Sequence, residues 1–219
     1  MKKFVSFFAV FLFITLFAVA SEAGDRNIPV EVAQLTDSLK KQFAPDRRVA
    51  LLDVDYSFSD KNVMLRGVTT SAEAKNALLK ELARKGYTVM DCLELLPDVK
   101  GLEGKTCGII NVSVANMRVA PDFSSEMMTQ SLMGMPVRVL QRDGWVRIQT
   151  PDNYIAWVHR VGVHPVTEEE MAAWNKAEKI VVTAHYGFVY SEPNQTSQTV
   201  SDVVAGNRLK WEGSKGAFY

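Results

Sequence analysis

Apolar residues recur at helical spacing twice in the first hundred positions. Val32, Leu35, Leu39 and Phe43 fall on one face of a helix over 28–43, which Pro45 ends. Ala74, Leu78, Leu79 and Leu82 form the stripe of a second helix over 72–85. Thr70 or Ser71 caps it, and Gly86 stops it at the C′ position. Between the helices, 49–58 and 63–68 carry β-branched and aromatic residues around the turn cluster Ser59-Asp60-Lys61-Asn62, which predicts a hairpin. A third strand over 87–95 is closed off by Pro97. Residues 26–100 therefore read as a small α-β-β-α-β module.

From about residue 105 the pattern changes to short strand-like runs separated by Pro, Gly, Ser and Asn clusters, the mark of a small all-β barrel. It also repeats. At an offset of 72 residues Pro121 matches Pro193, Met128 matches Val200 and Leu132 matches Val204. Gly134, Val137 and Gly144 likewise match Gly206, Leu209 and Gly216. One ungapped offset serves all six pairs, so 105–165 and 179–219 are expected to be structural duplicates. Thr167-Glu168-Glu169-Glu170 is a capping box opening a linker helix within 167–178, with Met171 and Trp174 packing it between the barrels. The second copy predicts strands at 180–184, 188–190 and 209–212, with Phe218 and Tyr219 beginning a fourth. Tyr219 corresponds to Arg147, so the last two strands of the first copy have no counterpart. An incomplete second barrel is expected to expose an edge that invites self-association.

The amino terminus has a different character. Lys2 and Lys3 precede an uncharged apolar run from Phe4 to Ala20, and Ala18-Val19-Ala20 places small residues where a signal peptidase cuts, before Ser21. Ser21-Glu22-Ala23 offers a second site. The run is short for a bilayer span and carries Ser6 and Thr15, which favours a removed signal peptide, residues 1–20, over an anchor. No Cys stands near for lipid attachment, and no other segment is apolar enough to span a membrane. The expectation is an exported protein of the periplasm or cell envelope, with no membrane association after cleavage. Without Lys2 and Lys3 the chain has 23 basic against 25 acidic residues, which leaves no basis for a nucleic-acid surface.

Candidate chemistry is sparse. Cys92 and Cys107 could meet in an oxidising compartment, and the sequence leaves that open. Neither is set as a nucleophile, which needs a base and a thiolate-stabilising site such as a helix N-terminus. His159, His164 and His185 lack metal-ligand spacing and read as solvated or hydrogen-bonded structural residues. Asp53 and Asp55 sit two apart on one strand face without further ligands, as a solvated edge would. No catalytic residue, metal ligand or cofactor is assigned.

The first copy carries four blocks in order: Asn116-Met117-Arg118-Val119-Ala120-Pro121, Gly134-Met135-Pro136-Val137-Arg138-Val139, Gly144-Trp145-Val146-Arg147-Ile148 and Asn153-Tyr154-Ile155-Ala156-Trp157-Val158. They resemble the bacterial SH3 domain. Trp145 and Trp157 are expected to bulk out its core. Asn153 and Ala156 stand where two glycines are usual; Asn tolerates a left-handed turn, and Ala does not, so that turn is expected to differ. The α-β-β-α-β order resembles BON modules of exported envelope proteins. The whole order of modules is similar to the front part of exported NlpC-type cysteine peptidases of the cell wall, whose papain-like catalytic domain would follow the second barrel and is absent here.

That resemblance implies cleavage, by the complete enzyme, between γ-D-glutamate and diaminopimelate in peptidoglycan peptides. It also implies substrate-binding roles for two residues. Glu126, after Ser125, would receive the free amino terminus of the muropeptide, and the phenol of Tyr154 would line the cleft. On the residues alone, a solvated loop Glu and a Tyr flanking the core are the better reading; the four-block resemblance brings the binding roles level with it. The fold class expected is α+β: signal peptide, α-β-β-α-β module, SH3-like barrel and a second, incomplete barrel. The function expected is a non-catalytic recognition module of a peptidoglycan endopeptidase. The alternative is a stand-alone SH3 adaptor binding a protein partner or an envelope glycan.

Overall fold

A computed structural model describes residues 28–219, and the candidate signal peptide lies outside them. The chain divides into two compact units, one ending at Leu95 and the other spanning Leu96–Tyr219.

In the first unit, helix α1 (Val30–Phe43) buries Val32, Thr36 and Leu39. Strands β1 (Leu52–Ser59) and β2 (Asn62–Thr69) form an antiparallel hairpin. Helix α2 (Ala72–Arg84) then crosses to β3 (Thr88–Leu95), which pairs parallel with β2, giving the sheet order β1-β2-β3. Ser71 Oγ accepts the Ala74 N–H and so caps α2. At its other end Gly86 has φ +82°, the Gly86 N–H donates to Ala83 O and the Tyr87 N–H to Leu82 O. That pair of bonds is the Schellman arrangement, and it needs the left-handed conformation that glycine takes without cost. Ala74, Leu78 and Leu82 pack with Val32, Val63 and Leu65, all fully buried. Each buried Leu side chain contributes roughly 1.5–3 kcal/mol. One polar pair enters this core: Thr36 donates to Val32 O and shares a 2.5 Å hydrogen bond with the Tyr56 hydroxyl. Burial pushes the Tyr56 phenol above its ordinary pKa.

The second unit opens with β4 (Cys107–Ile110), β5 (Val114–Arg118), β6 (Met127–Leu132), β7 (Pro136–Asp143), β8 (Trp145–Gln149) and β9 (Ile155–His159). A 3₁₀ turn, Arg160–Gly162, leads to β10 (Val163–Val166). The strands form one seven-stranded sheet in the order β10-β4-β7-β8-β9-β5-β6 around an SH3-like core. The expected barrel does not close: among the described residues no ladder joins β6 to β10. Along β6, Met127 and Gln130 are exposed and Ser131 is buried. The core comes from alternate residues, Val137 and Val139, Val146 and Ile148, Ala156 and Val158, closed by Ile110 and Met117.

Helix α3 (Glu168–Lys176) has the full capping box, with Thr167 Oγ1 accepting the Glu170 N–H and the Glu170 carboxylate accepting the Thr167 N–H. Met171 is buried against the first copy, whereas Trp174 is half-buried with the Lys179 ammonium 5.0 Å from its ring centroid. The second copy consists of β11 (Lys179–Val181), β12 (Tyr186–Tyr190), β13 (Thr199–Val204) and β14 (Arg208–Lys210). They pair as two separate two-stranded sheets, β11 with β14 and β12 with β13. The strand expected at 180–184 is shorter, and β13 was not expected at all. Phe218 makes an isolated bridge with Lys215 where a fourth strand was expected to begin.

Candidate functional site

The loop between β5 and β6 is built by local polar contacts. Arg118 Nη1 donates to Ser125 O at 2.6 Å, and Ser125 Oγ accepts the Ala120 N–H at 2.9 Å. Asp122 Oδ1 accepts both the backbone N–H and the hydroxyl of Ser124. These bonds hold the Asp122 carboxyl below its ordinary pKa, with a smaller contribution from the Arg118 charge. Arg118 of the first block and Ser125 beyond it thus hold this turn.

Glu126 closes this loop. It is exposed, and its carbonyl accepts the Val119 N–H at 3.0 Å. Tyr154 is half-buried just before β9, with its carbonyl accepting the Thr150 N–H. Asn153 has φ +70°, so the turn closes at Asn153 itself. Ala156 lies inside β9, paired with Ile148, where no positive φ is required. β5 meets β9 antiparallel at Arg118 and Trp157. The chain leaving β5 and the chain entering β9 therefore lie at the same end of the sheet. The loop itself reaches the other way: its Phe123 lies against Trp145 and His159, at the end of β8 and β9 opposite to Tyr154.

Trp157 is buried but, against expectation, not in the core cluster: it lies on the face of β9 away from Ala156 and Val158, with the Arg147 guanidinium 4.7 Å from its ring centroid. Trp145 departs from expectation. It is not a core residue, because β8 turns Val146 and Ile148 inward and leaves Trp145 on the other face. There it packs edge-to-face with Phe123, at 4.9 Å and 60°, and with His159, at 5.2 Å and 83°. Phe123 and His159 also touch, at 5.0 Å. His159 is thus part of an aromatic cluster. Reading by strand pattern missed this surface; the signal was a Phe set among Asp122, Ser124 and Ser125, where no alternation calls for one.

The remaining candidates carry little chemistry. Cys92 and Cys107 are free thiols. Burial, then the Glu168 charge, pushes the Cys107 thiol up, which opposes a thiolate nucleophile. Cys107 borders a cavity of about 500 Å³ with Arg138, Glu168 and Met171. Asp53 is exposed, and among the described residues no group of His, Cys, Asp and Glu could hold a metal ion. Among them also, no helix is long and apolar enough to cross a membrane.

The architecture and loop chemistry make this region an SH3-like domain. Residues 117–161 match the family model described as the bacterial dipeptidyl-peptidase SH3 domain. Among solved structures, the chain is similar to an NlpC/P60 family protein from Bacillus cereus at 19% identity and a TM-score of 0.41, covering 50% of this chain and 48% of that one. It is also similar to an NlpC/P60 endopeptidase from Photobacterium damselae subsp. piscicida at 15% identity and a TM-score of 0.41, covering 53% of this chain and 29% of that one. The chain thus spans under half the length of either structure. No curated protein matches it.

Proposed function

We propose that the chain is an exported cell-envelope module whose first repeat binds the free amino end of a peptidoglycan stem peptide. It would serve as the non-catalytic front part of a γ-D-glutamyl-diaminopimelate endopeptidase. One observation carries this reading: the segment matching a peptidase-associated SH3 model, 117–161, includes both Glu126 and Tyr154, the first exposed and the second half-buried. A carboxylate is the natural partner of an ammonium group, and such a charge-assisted bond is shorter and stronger than a neutral one. The phenol of Tyr154 would flank the peptide. Residues 1–20 would be removed as a signal peptide, and the α-β-β-α-β unit would be a BON-like envelope module.

Calorimetry of the full chain with L-Ala-γ-D-Glu-diaminopimelate tests the reading. Binding should be lost when the tripeptide amine is acetylated and in Glu126→Gln. Equal affinity for the acetylated peptide would overturn it. A second reading, an adaptor that binds a protein partner or an envelope glycan, is favoured by the exposed aromatic surface at Phe123. Self-association through the uncovered second copy belongs to either reading, and sedimentation of the full chain would detect it.

A further inference from the structure

The second copy serves as an internal control for the loop that carries Phe123. Its loop keeps the same bonds 72 residues on: the Glu192 N–H donates to Ser197 Oγ, the Thr196 N–H to Asn194 Oδ1, and the Ser191 N–H to Gln198 O. Yet Gln195 stands where the first copy has Phe123, and Ala217 where it has Trp145. The loop therefore folds without either aromatic residue. Phe123 is 67% exposed, so burial does not explain it either. The second copy has surface rings elsewhere, from Tyr186 to Phe218, but only the first carries one on this loop, where Phe123 packs on Trp145 and His159 to form a preorganised apolar surface with a polar rim.

We infer that Phe123, Trp145 and His159 form a stacking subsite for a neutral sugar ring of an envelope glycan. The choice of polymer rests on the envelope reading above. A pyranose has one face lined by C–H bonds, whose positive edges suit the electron-rich faces of aromatic rings. Its hydroxyls need donors and acceptors around the platform, and the hydroxyl of Ser124, the carboxylate of Asp122 and the ring nitrogens of His159 supply them. The flanking charges balance, with Asp122 and Asp143 against Arg142 and Arg160, which suits an uncharged ligand better than an ionic one. The ligand differs from that of Glu126 on the same loop, because a stem peptide with a free amino end carries no sugar. The glycan would hold the protein on the wall while Glu126 takes a released peptide.

The full chain should be titrated with soluble oligomers of N-acetylglucosamine, which are uncharged, and separately with the free tripeptide, following indole fluorescence. Phe123→Gln installs the residue that the second copy already tolerates. It should weaken the oligomer about ten-fold, the order of one aromatic contact, and leave the tripeptide unchanged. Glu126→Gln should do the reverse. Loss of tripeptide binding alone would remove the peptide reading and leave the glycan subsite standing. Oligomer binding that is absent, or unchanged in Phe123→Gln, would overturn the subsite. A proline-rich peptide that binds in place of the oligomer would also overturn it and assign the surface to a protein partner.

Discussion

Strands Val114–Arg118 and Tyr186–Tyr190 begin and end 72 residues apart, as do Met127–Leu132 and Thr199–Val204. The bulge after Met117 recurs after Val189. The Gly134 N–H donates to Ile110 O and the Gly206 N–H to Val182 O; the Val139 N–H donates to Thr106 O and the Trp211 N–H to Glu178 O. Local backbone structure is thus duplicated bond for bond. What covers the two sheets differs. Met117 and Val137 are buried beneath β8 and β9, whereas their equivalents Val189 and Leu209 line an open groove of about 710 Å³. The lesson is that turns and hairpins are specified locally, while the stability of a copy depends on strands that close over its apolar face.

The copies are also joined asymmetrically. Gly134 (φ +81°) lies so close to the second copy that an added Cβ would fall 2.2 Å from Arg208 O. The Arg208 N–H donates to Met133 O at 2.9 Å. Asn207, fully buried, donates to Ser113 O and accepts the Val204 N–H, and Ser113 Oγ donates to Asp202 Oδ2.

The largest expected effect is at that junction. Gly134→Val should cost about 3 kcal/mol or more, because it combines positive-φ strain with a backbone clash. Equilibrium denaturation would read it, and an unchanged midpoint would break the account of how the copies are joined. Next, Met117→Ala should cost about 3 kcal/mol and Val189→Ala under about 1 kcal/mol, since only the first empties a closed core. Equal losses in the same denaturation series would mean the second copy is as well covered as the first. Asn207→Ala should cost about 1 kcal/mol by leaving the half-buried Val204 N–H without its acceptor, while Ser113 O keeps the Met133 N–H, and amide exchange at Val204 should quicken. Limited proteolysis should cut first between Ala177 and Tyr219; cleavage first within 105–165 would reverse the order of stability. The smallest effect concerns Asp122. Its folded pKa is depressed, so its support of the loop is present above the ordinary carboxylate range and lost as pH falls through the lowered value. NMR shifts of Ser124 should follow that acid titration in the wild type and lose it in Asp122→Asn.

Much of this was legible without coordinates. The repeat offset, the capping box at Thr167 and the glycine after α2 are local features, in which a few neighbouring residues decide the backbone. The strands β6 and β13 were not legible, because Met127–Leu132 and Thr199–Val204 lie at a sheet edge and carry no clear alternation of apolar and polar residues. For the candidate site, the blocks marked Glu126 and Tyr154 singly, but the ring cluster at Phe123 depends on the cross-strand pairing of Trp145 with His159, which no local pattern shows.

The sequence by itself determined the α-β-β-α-β order, the 72-residue repeat and the capping box at Thr167, because backbone hydrogen bonds and glycine conformations act over a few residues. Only the tertiary structure decided which face of each strand meets the core. It turned Trp145 outward to Phe123 and His159, and it left the sheet open between β6 and β10. A side chain's face is fixed by register and by what packs above it, and neither is written in the spacing of residues along one strand.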